Sequence, residues 1–228
     1  MLIAEIVGGV MKESGLLENF DNIVIISADR NGSTAFQYNI FSPGLNNNDE
    51  NYIWIGEGFH SNSENIKTKK CTPKEVVYSI NHGTHKSVVL KSQITYPDFN
   101  RGFFDIEASR KIFLHRNLFD STLSRCIAKT INRWHNINNE DYNKLEIPID
   151  LFKNTLEYRI EKYSLYIDDI LKWAEEIYKY ENFKFEKNLS MKKNPDKNKK
   201  VNNYFELYDV FSKYEEVNVI EDKINSHV

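Results

Sequence analysis

The chain has 228 residues, of which 40% are hydrophobic and 28% charged, with a formal net charge of −3. That balance excludes the disordered and fibrous classes. Without a dominant basic field, it also speaks against a general nucleic-acid or membrane-surface binder.

The length suits one domain with a sizeable core, so residues 1–228 are read as a single domain. Residues 1–10 are apolar, but they carry Glu5, lack a basic leader and are too short to cross a bilayer, so they are expected to pack as a first helix. Residues 22–27 (NIVIIS) form a short β-branched run that suits a strand buried on both faces of a parallel sheet, the expected central strand. A polar turn over 28–32 follows, and from Ser33 and Thr34 the apolar pattern of Ala35, Phe36, Tyr38, Ile40 and Phe41 predicts a helix starting at once.

Residues 52–55 are a candidate short strand leading into Gly56-Glu57-Gly58. Thr72-Pro73-Lys74-Glu75 is a capping box with proline at the first helical position, and Gly83 is placed to close that helix. Two further parallel strands are expected at 87–91 and 111–114, with an aromatic, irregular stretch over 96–105 between them. Asp120 is placed to cap a helix reaching about His135, and Asp150 to open a longer one with Phe152, Leu156, Ile160, Tyr163, Ile167, Ile170 and Ala174 at helical spacing. Residues 177–181 fit either the end of that helix or a last strand, 192–200 a solvated loop, and 204–211 a helix. The alternation defines an α/β class, a three-layer P-loop-type fold with a mainly parallel central sheet flanked by helices.

Two segments carry chemistry. Residues 27–34 (SADRNGST) have the length and placement of a phosphate-cradling loop, in which backbone N–H groups and a helix N-terminus hold an anion. The lysine that reaches the outer phosphates of ATP or GTP is absent: Ser33 stands in its place, and the loop's cation is Arg30. Such a loop suits a phosphate bearing a transferable group better than a magnesium triphosphate. In the second segment Arg116 leaves a strand and Ser124 lies on the next helix, where both can face the crevice at the carboxyl ends of the strands.

The loop Arg30, Asn31, Gly32, Ser33, Thr34 resembles the 5′-phosphosulfate loop, P-R-S-G-[ST]-T, of sulfotransferases that use 3′-phosphoadenosine-5′-phosphosulfate (PAPS). The segment from Arg116 to Ser124 resembles their 3′-phosphate motif, R-[DN]-P-x-[DE]-x-x-x-S, and keeps its spacing. Weaker similarity touches Ile55-Gly56-Glu57-Gly58-Phe59 and the segments 192–195 and 203–204. The chain departs from the pattern at Asp29 and Leu118, where the family has prolines, and at Gln93, where many members have a histidine. Asp29 thereby sets a negative charge beside an anion site.

The resemblance implies that PAPS is the co-substrate, without a metal, and that the acceptor is a hydroxyl or amine on a saccharide, peptide or small alcohol. It assigns Asn31, Gly32, Ser33 and Thr34 to the 5′-phosphate, Arg116 and Ser124 to the 3′-phosphate, and Arg30 to the charge near the bridging oxygen. With no histidine at Gln93, Glu57 is the candidate general base, held between two glycines that permit close approach, and His60 is the alternative. No histidine spacing suits a metal, and Cys71 and Cys126 suggest neither ligand pair nor disulfide, which fits a reducing, cytoplasmic setting. Two other readings stay open: a P-loop protein that binds nucleotide without catalysis, and a phosphoryl-transferring kinase, disfavoured by the missing lysine.

Overall fold

The computed structural model of the chain describes residues 20–29, 52–55, 72–95, 99, 101–132, 145–182 and 201–228. Among these, β1 (Ile23–Ser27), β2 (Tyr52–Ile55), β3 (Ser87–Gln93), β4 (Arg110–His115) and β5 (Glu176–Lys179) form one sheet in the order β2-β3-β1-β4-β5. Every pairing is parallel. Flanking it are α1 (Pro73–Thr84), α2 (Leu118–Thr130), α3 (Ile149–Trp173), α4 (Tyr204–Phe211) and α5 (Glu215–Asn225), with short 3₁₀ turns at Arg101–Phe103 and Tyr180–Asn182.

The NIVIIS strand is central because its residues are apolar on both faces. Val24 and Ile26 join a core built with residues of all five helices, while Ile23 and Ile25 join a second buried cluster with Val89, Ile112 and Leu114. A sheet buried on both sides is the middle layer of a three-layer α/β fold. Asn22, just before β1, is buried and pairs its amide reciprocally with that of Asn81 at 3.1 and 2.9 Å. Its Oδ1 also accepts from the Val88 N–H at 2.8 Å, so one side chain joins α1, β1 and the start of β3.

At the N-terminus of α1 the capping box is present: Thr72 Oγ1 accepts from the Glu75 N–H at 3.3 Å, and Glu75 accepts from the Thr72 N–H at 2.7 Å. Gly83, however, lies inside the last turn, and the left-handed step falls on His85 with φ 54°. Histidine is among the residues that adopt this conformation more readily than most.

The cap of α2 is Asn117, not Asp120: Asn117 Oδ1 accepts from the Asp120 N–H at 3.1 Å, and Asp120 adds a carboxylate to the first turn. The helix stops at Thr130, short of His135, where Asn132 turns left-handed with φ 52°. Helix α3 begins at Ile149 after Pro148, with Asp150 in its first turn. Of the ambiguous stretch 177–181, residues 177–179 belong to the strand β5 and 180–181 to the 3₁₀ turn that follows it. Arg110 holds Glu176 through two hydrogen bonds of 2.7 Å, which ties β5 to β4. Helix α5, for which the sequence pattern raised no expectation, buries Val217, Ile220 and Ile224. The expected first helix over 1–10, the helix after Ser33 and the loop over 192–200 lie outside the described residues.

Candidate functional site

Strand β1 has β3 on one side and β4 on the other, and the chain leaves β1 toward β2 but leaves β4 toward β5. Neighbouring strands whose connections diverge in this way open a crevice at their carboxyl ends, where ligands of open α/β sheets bind. In register, Ser27 of β1 lies opposite Leu114 of β4. The two motifs of the sequence therefore depart from adjacent strand ends.

Of the expected site residues, Arg116 and Ser124 are among those described. Arg30, Asn31, Gly32, Ser33, Thr34, Glu57 and His60 lie outside them. Arg116 is buried directly after β4, and its guanidinium carbon stands 4.5 Å from the centroid of the Tyr180 ring. The negative face of an aromatic ring attracts such a cation. Next to Tyr180, Glu181 accepts from the Asn117 N–H at 3.0 Å, so the turn after β5 braces both Arg116 and its neighbour. Ser124 is half-buried in the second turn of α2.

His115, the last residue of β4, is buried at 1% exposure. Its Nε2 lies 2.9 Å from Glu221 Oε2 and its Nδ1 lies 3.3 Å from the Tyr163 hydroxyl. A carboxylate only accepts, so Nε2–H donates to Glu221, and both ring nitrogens of His115 are engaged. Glu221 also accepts from the Leu118 N–H at 2.9 Å, an otherwise open donor at the start of α2. Burial pushes the Glu221 carboxyl up, but the hydrogen bond and charge of His115 and the Leu118 N–H outweigh it and hold the group below its ordinary value.

The residue that breaks the loop pattern, Asp29, is the centre of a network the sequence did not announce. It is buried at the exit of β1. Its Oδ1 accepts from Thr95 Oγ1 at 3.0 Å and from Arg159 Nη2 at 2.6 Å, while its Oδ2 pairs with Arg125 Nη1. The Asp29 N–H donates to Thr95 Oγ1 at 3.0 Å, and its carbonyl accepts from Arg159 Nη2 at 2.9 Å. Arg159 reaches further to Ser121 Oγ at 3.2 Å, and Tyr158 donates to the Thr95 carbonyl at 2.8 Å. Burial raises the Asp29 carboxyl, yet Arg159 and then Arg125 hold it below its ordinary value, so it is an anion facing two guanidiniums. The negative charge expected beside the anion site is thus more than compensated.

Arg159 has no exposed surface and stands on the inward stripe of α3 between Leu156 and Tyr163. An arginine on an apolar stripe is the signal that was available in the sequence, because a buried guanidinium requires a carboxylate. Cys126 is a free, buried thiol whose burial pushes its pKa up, which marks it as inert packing. Among the described residues no cluster of His, Cys, Asp and Glu is arranged to hold a metal, and no helix is long and apolar enough to cross a membrane. Comparison of the chain with protein-family models, curated proteins and solved structures gave no match.

Proposed function

We propose that the chain is a PAPS-dependent sulfotransferase, moving a sulfuryl group to a hydroxyl or amine of a saccharide, peptide or small alcohol in the cytoplasm. The observation that carries this reading is the adjacency of the β1 and β4 exits at the divergence of the sheet, which brings Asp29, the residue before Arg30 in the sequence, and Arg116 to neighbouring strand ends. A ligand phosphorylated at both ends of a nucleoside spans such a pair of turns. The buried, ring-backed Arg116 supplies a fixed cation for the 3′-phosphate, with Ser124 as a hydroxyl donor.

In this reading Asn31, Gly32, Ser33 and Thr34 hold the 5′-phosphate by backbone and hydroxyl donors. Arg30 meets the charge that grows on the bridging oxygen. The acceptor oxygen or nitrogen forms its bond to sulfur as the bond from sulfur to that bridging oxygen breaks, and the acceptor's proton passes to Glu57 or His60. The protein's contribution is in-line positioning and charge stabilisation, with no metal called for. A second reading, nucleotide binding without turnover, is favoured by one observation: the buried residue at the end of β3 is Gln93, which cannot take a proton.

The test is a thermal-shift titration with adenosine 3′,5′-bisphosphate, AMP and ATP with magnesium, since a ligand that binds only the folded state raises its stability. The bisphosphate should give the largest shift, and Arg116→Ala should weaken it about tenfold while leaving AMP unchanged. Equal shifts for AMP and the bisphosphate, or an Arg116→Ala protein with unaltered preference, would refute the 3′-phosphate assignment. Transfer of radiolabelled sulfate from PAPS to an acceptor separates the enzyme from the non-catalytic binder.

A further inference from the structure

We infer that Arg125 is a second cation of the anion site, reserved by Asp29 and directed at the 5′ group of the ligand rather than the 3′-phosphate. The inference deepens the reading above and rests on it for the identity of the ligand, though not for the presence of an oxyanion. Three observations lead to it.

Charge comes first. Asp29 carries one negative charge and faces two guanidiniums, so the group at the exit of β1 bears a surplus positive charge. Lys162, with its Nζ 5.4 Å from the Tyr158 ring centroid, pairs with Glu161 Oε1 at 3.8 Å and adds no net charge, so the surplus is the single charge left by Asp29 between its two arginines. A surplus of cations at a half-closed strand exit is costly unless an anion occupies it.

The two arginines also differ in accessibility. Arg159 is fully buried and distributes its donors over the Asp29 carboxylate, the Asp29 carbonyl and Ser121. Arg125 keeps 21% of its side chain exposed, and among the described residues its guanidinium has a single hydrogen-bond partner, Asp29 Oδ2. The planar fork of arginine has five donors, so Asp29 fixes one corner while the exposed 21% of the side chain gives a ligand access to the others.

Placement completes the argument. Asp29 is the residue immediately before Arg30, so the cation it holds stands at the root of the phosphate-cradling loop, on the β1 side of the crevice. Arg116 stands on the β4 side. Two cations on opposite strand exits divide a doubly charged ligand between them: Arg116 takes its 3′ end and Arg125 its 5′ end.

Isothermal titration of the full chain at low salt tests this, with inorganic pyrophosphate, AMP and adenosine 3′,5′-bisphosphate as probes. Arg125→Gln should weaken all three by about tenfold, in contrast to Arg116→Ala, and Arg125→Lys should restore most of the loss. Asp29→Asn should tighten all three by about threefold or more, because it removes the carboxylate that pairs with Arg125. A purely structural role for the network predicts weakening in both Arg125→Gln and Asp29→Asn; that result, or wild-type affinity in Arg125→Gln, overturns the inference.

If Arg125→Gln does not fold, Asp29→Asn decides by the sign of its effect. If Asp29→Asn does not fold, Ser121→Ala decides, because it disturbs the network without removing a charge, and a loss of affinity equal to that of Arg125→Gln overturns the inference. Arg125-dependent pyrophosphate binding with no preference for the 3′-phosphorylated nucleotide would support the Arg125 site while removing the sulfotransferase reading. A preference for the bisphosphate that is insensitive to Arg125 would do the reverse. A wild-type chain that binds none of the probes removes both.

Discussion

Replacing Arg159 by methionine keeps an unbranched apolar stem but withdraws the cation that faces Asp29 deepest in the fold. The change leaves Thr95 Oγ1 and Arg125 on the Asp29 carboxylate, and it removes the donor that the Asp29 carbonyl and Ser121 Oγ accept from at 2.9 and 3.2 Å, though Ser121 keeps its bond to the Leu118 carbonyl. Breaking a buried pair by removing one partner costs about 3–5 kcal/mol, and because Arg125 stays on the carboxylate the lower end, about 3 kcal/mol, is expected. Arg125→Gln should cost about 1 kcal/mol, since its partly exposed guanidinium is screened and Asp29 retains the fully buried Arg159.

The assay is urea unfolding, followed by the midpoint at constant slope, with a difference between the two variants of about 1 M expected for slopes of ordinary size. The double variant Asp29→Ala with Arg159→Met should cost less than the two single changes together, by up to about 3 kcal/mol, because it removes both buried charges of the central pair. An Arg125→Gln protein as unstable as Arg159→Met, or strict additivity in the double variant, would refute the assignment of Arg159 as the structural partner and Arg125 as the outward one.

Acidification should destabilise the fold below the ordinary carboxylate range. Asp29 and Glu221 are held below 3.8 and 4.5 in the folded chain, so the unfolded chain binds protons first, and their contribution, complete above those values, is lost as pH falls through the lowered ones. Urea midpoints measured downward from about pH 6 should therefore fall, less steeply in Asp29→Asn; an unchanged slope in that variant would count against the ion-pair reading. Glu221→Ala should cost about 2 kcal/mol by stranding the Leu118 N–H and the His115 ring, and hydrogen exchange should show the Leu118 amide losing protection. Glu57→Gln should leave bisphosphate affinity unchanged while sulfuryl transfer falls by about 100-fold or more, whereas near-normal turnover would move the base to His60.

The elements most legible in the sequence were those whose patterns are local. Residues 22–27, 52–55, 87–91 and 111–114 are short apolar runs with polar ends, and a strand forms at each: Ile23–Ser27, Tyr52–Ile55, Ser87–Gln93 and Arg110–His115. The capping box of α1 involves residues three apart and is present as read. The cap of α2 was misplaced by three positions because Asn117 and Asp120 are both good capping types, and the choice between them depends on where the strand before them ends.

Helix α5 has an apolar stripe of only Val217, Ile220 and Ile224 among charged residues, a pattern too sparse to stand out without the core it meets. The Asp29 network joins residues whose positions differ by 96 and 130, so no local spacing encodes it. Arg159 on the buried stripe of α3 was its one visible trace. Of the site, the positions of Arg116 and Ser124 at a strand exit and on the helix that follows were readable in advance; Tyr180, which backs Arg116, and Glu181, which accepts from the Asn117 N–H, come from the far edge of the sheet.

The place of β1 at the centre of the sheet also sets a schedule for synthesis. Its residues pair with Val89 to Gln93 on one side and with Arg110 to Leu114 on the other, and neither partner exists when the NIVIIS run leaves the ribosome. At roughly 5–20 residues per second, the strand waits several seconds with both edges open and both faces apolar. During that interval it is a template for any extended segment nearby, its own β2 or another nascent chain. The polar residues on either side, Asp21-Asn22 before it and the charged Asp29 after it, then act as gatekeepers that discourage such pairing until β3 and β4 arrive. An aspartate just after β1 thus has a use before the fold exists, in a chain whose central strand is among the first of its described elements to be made.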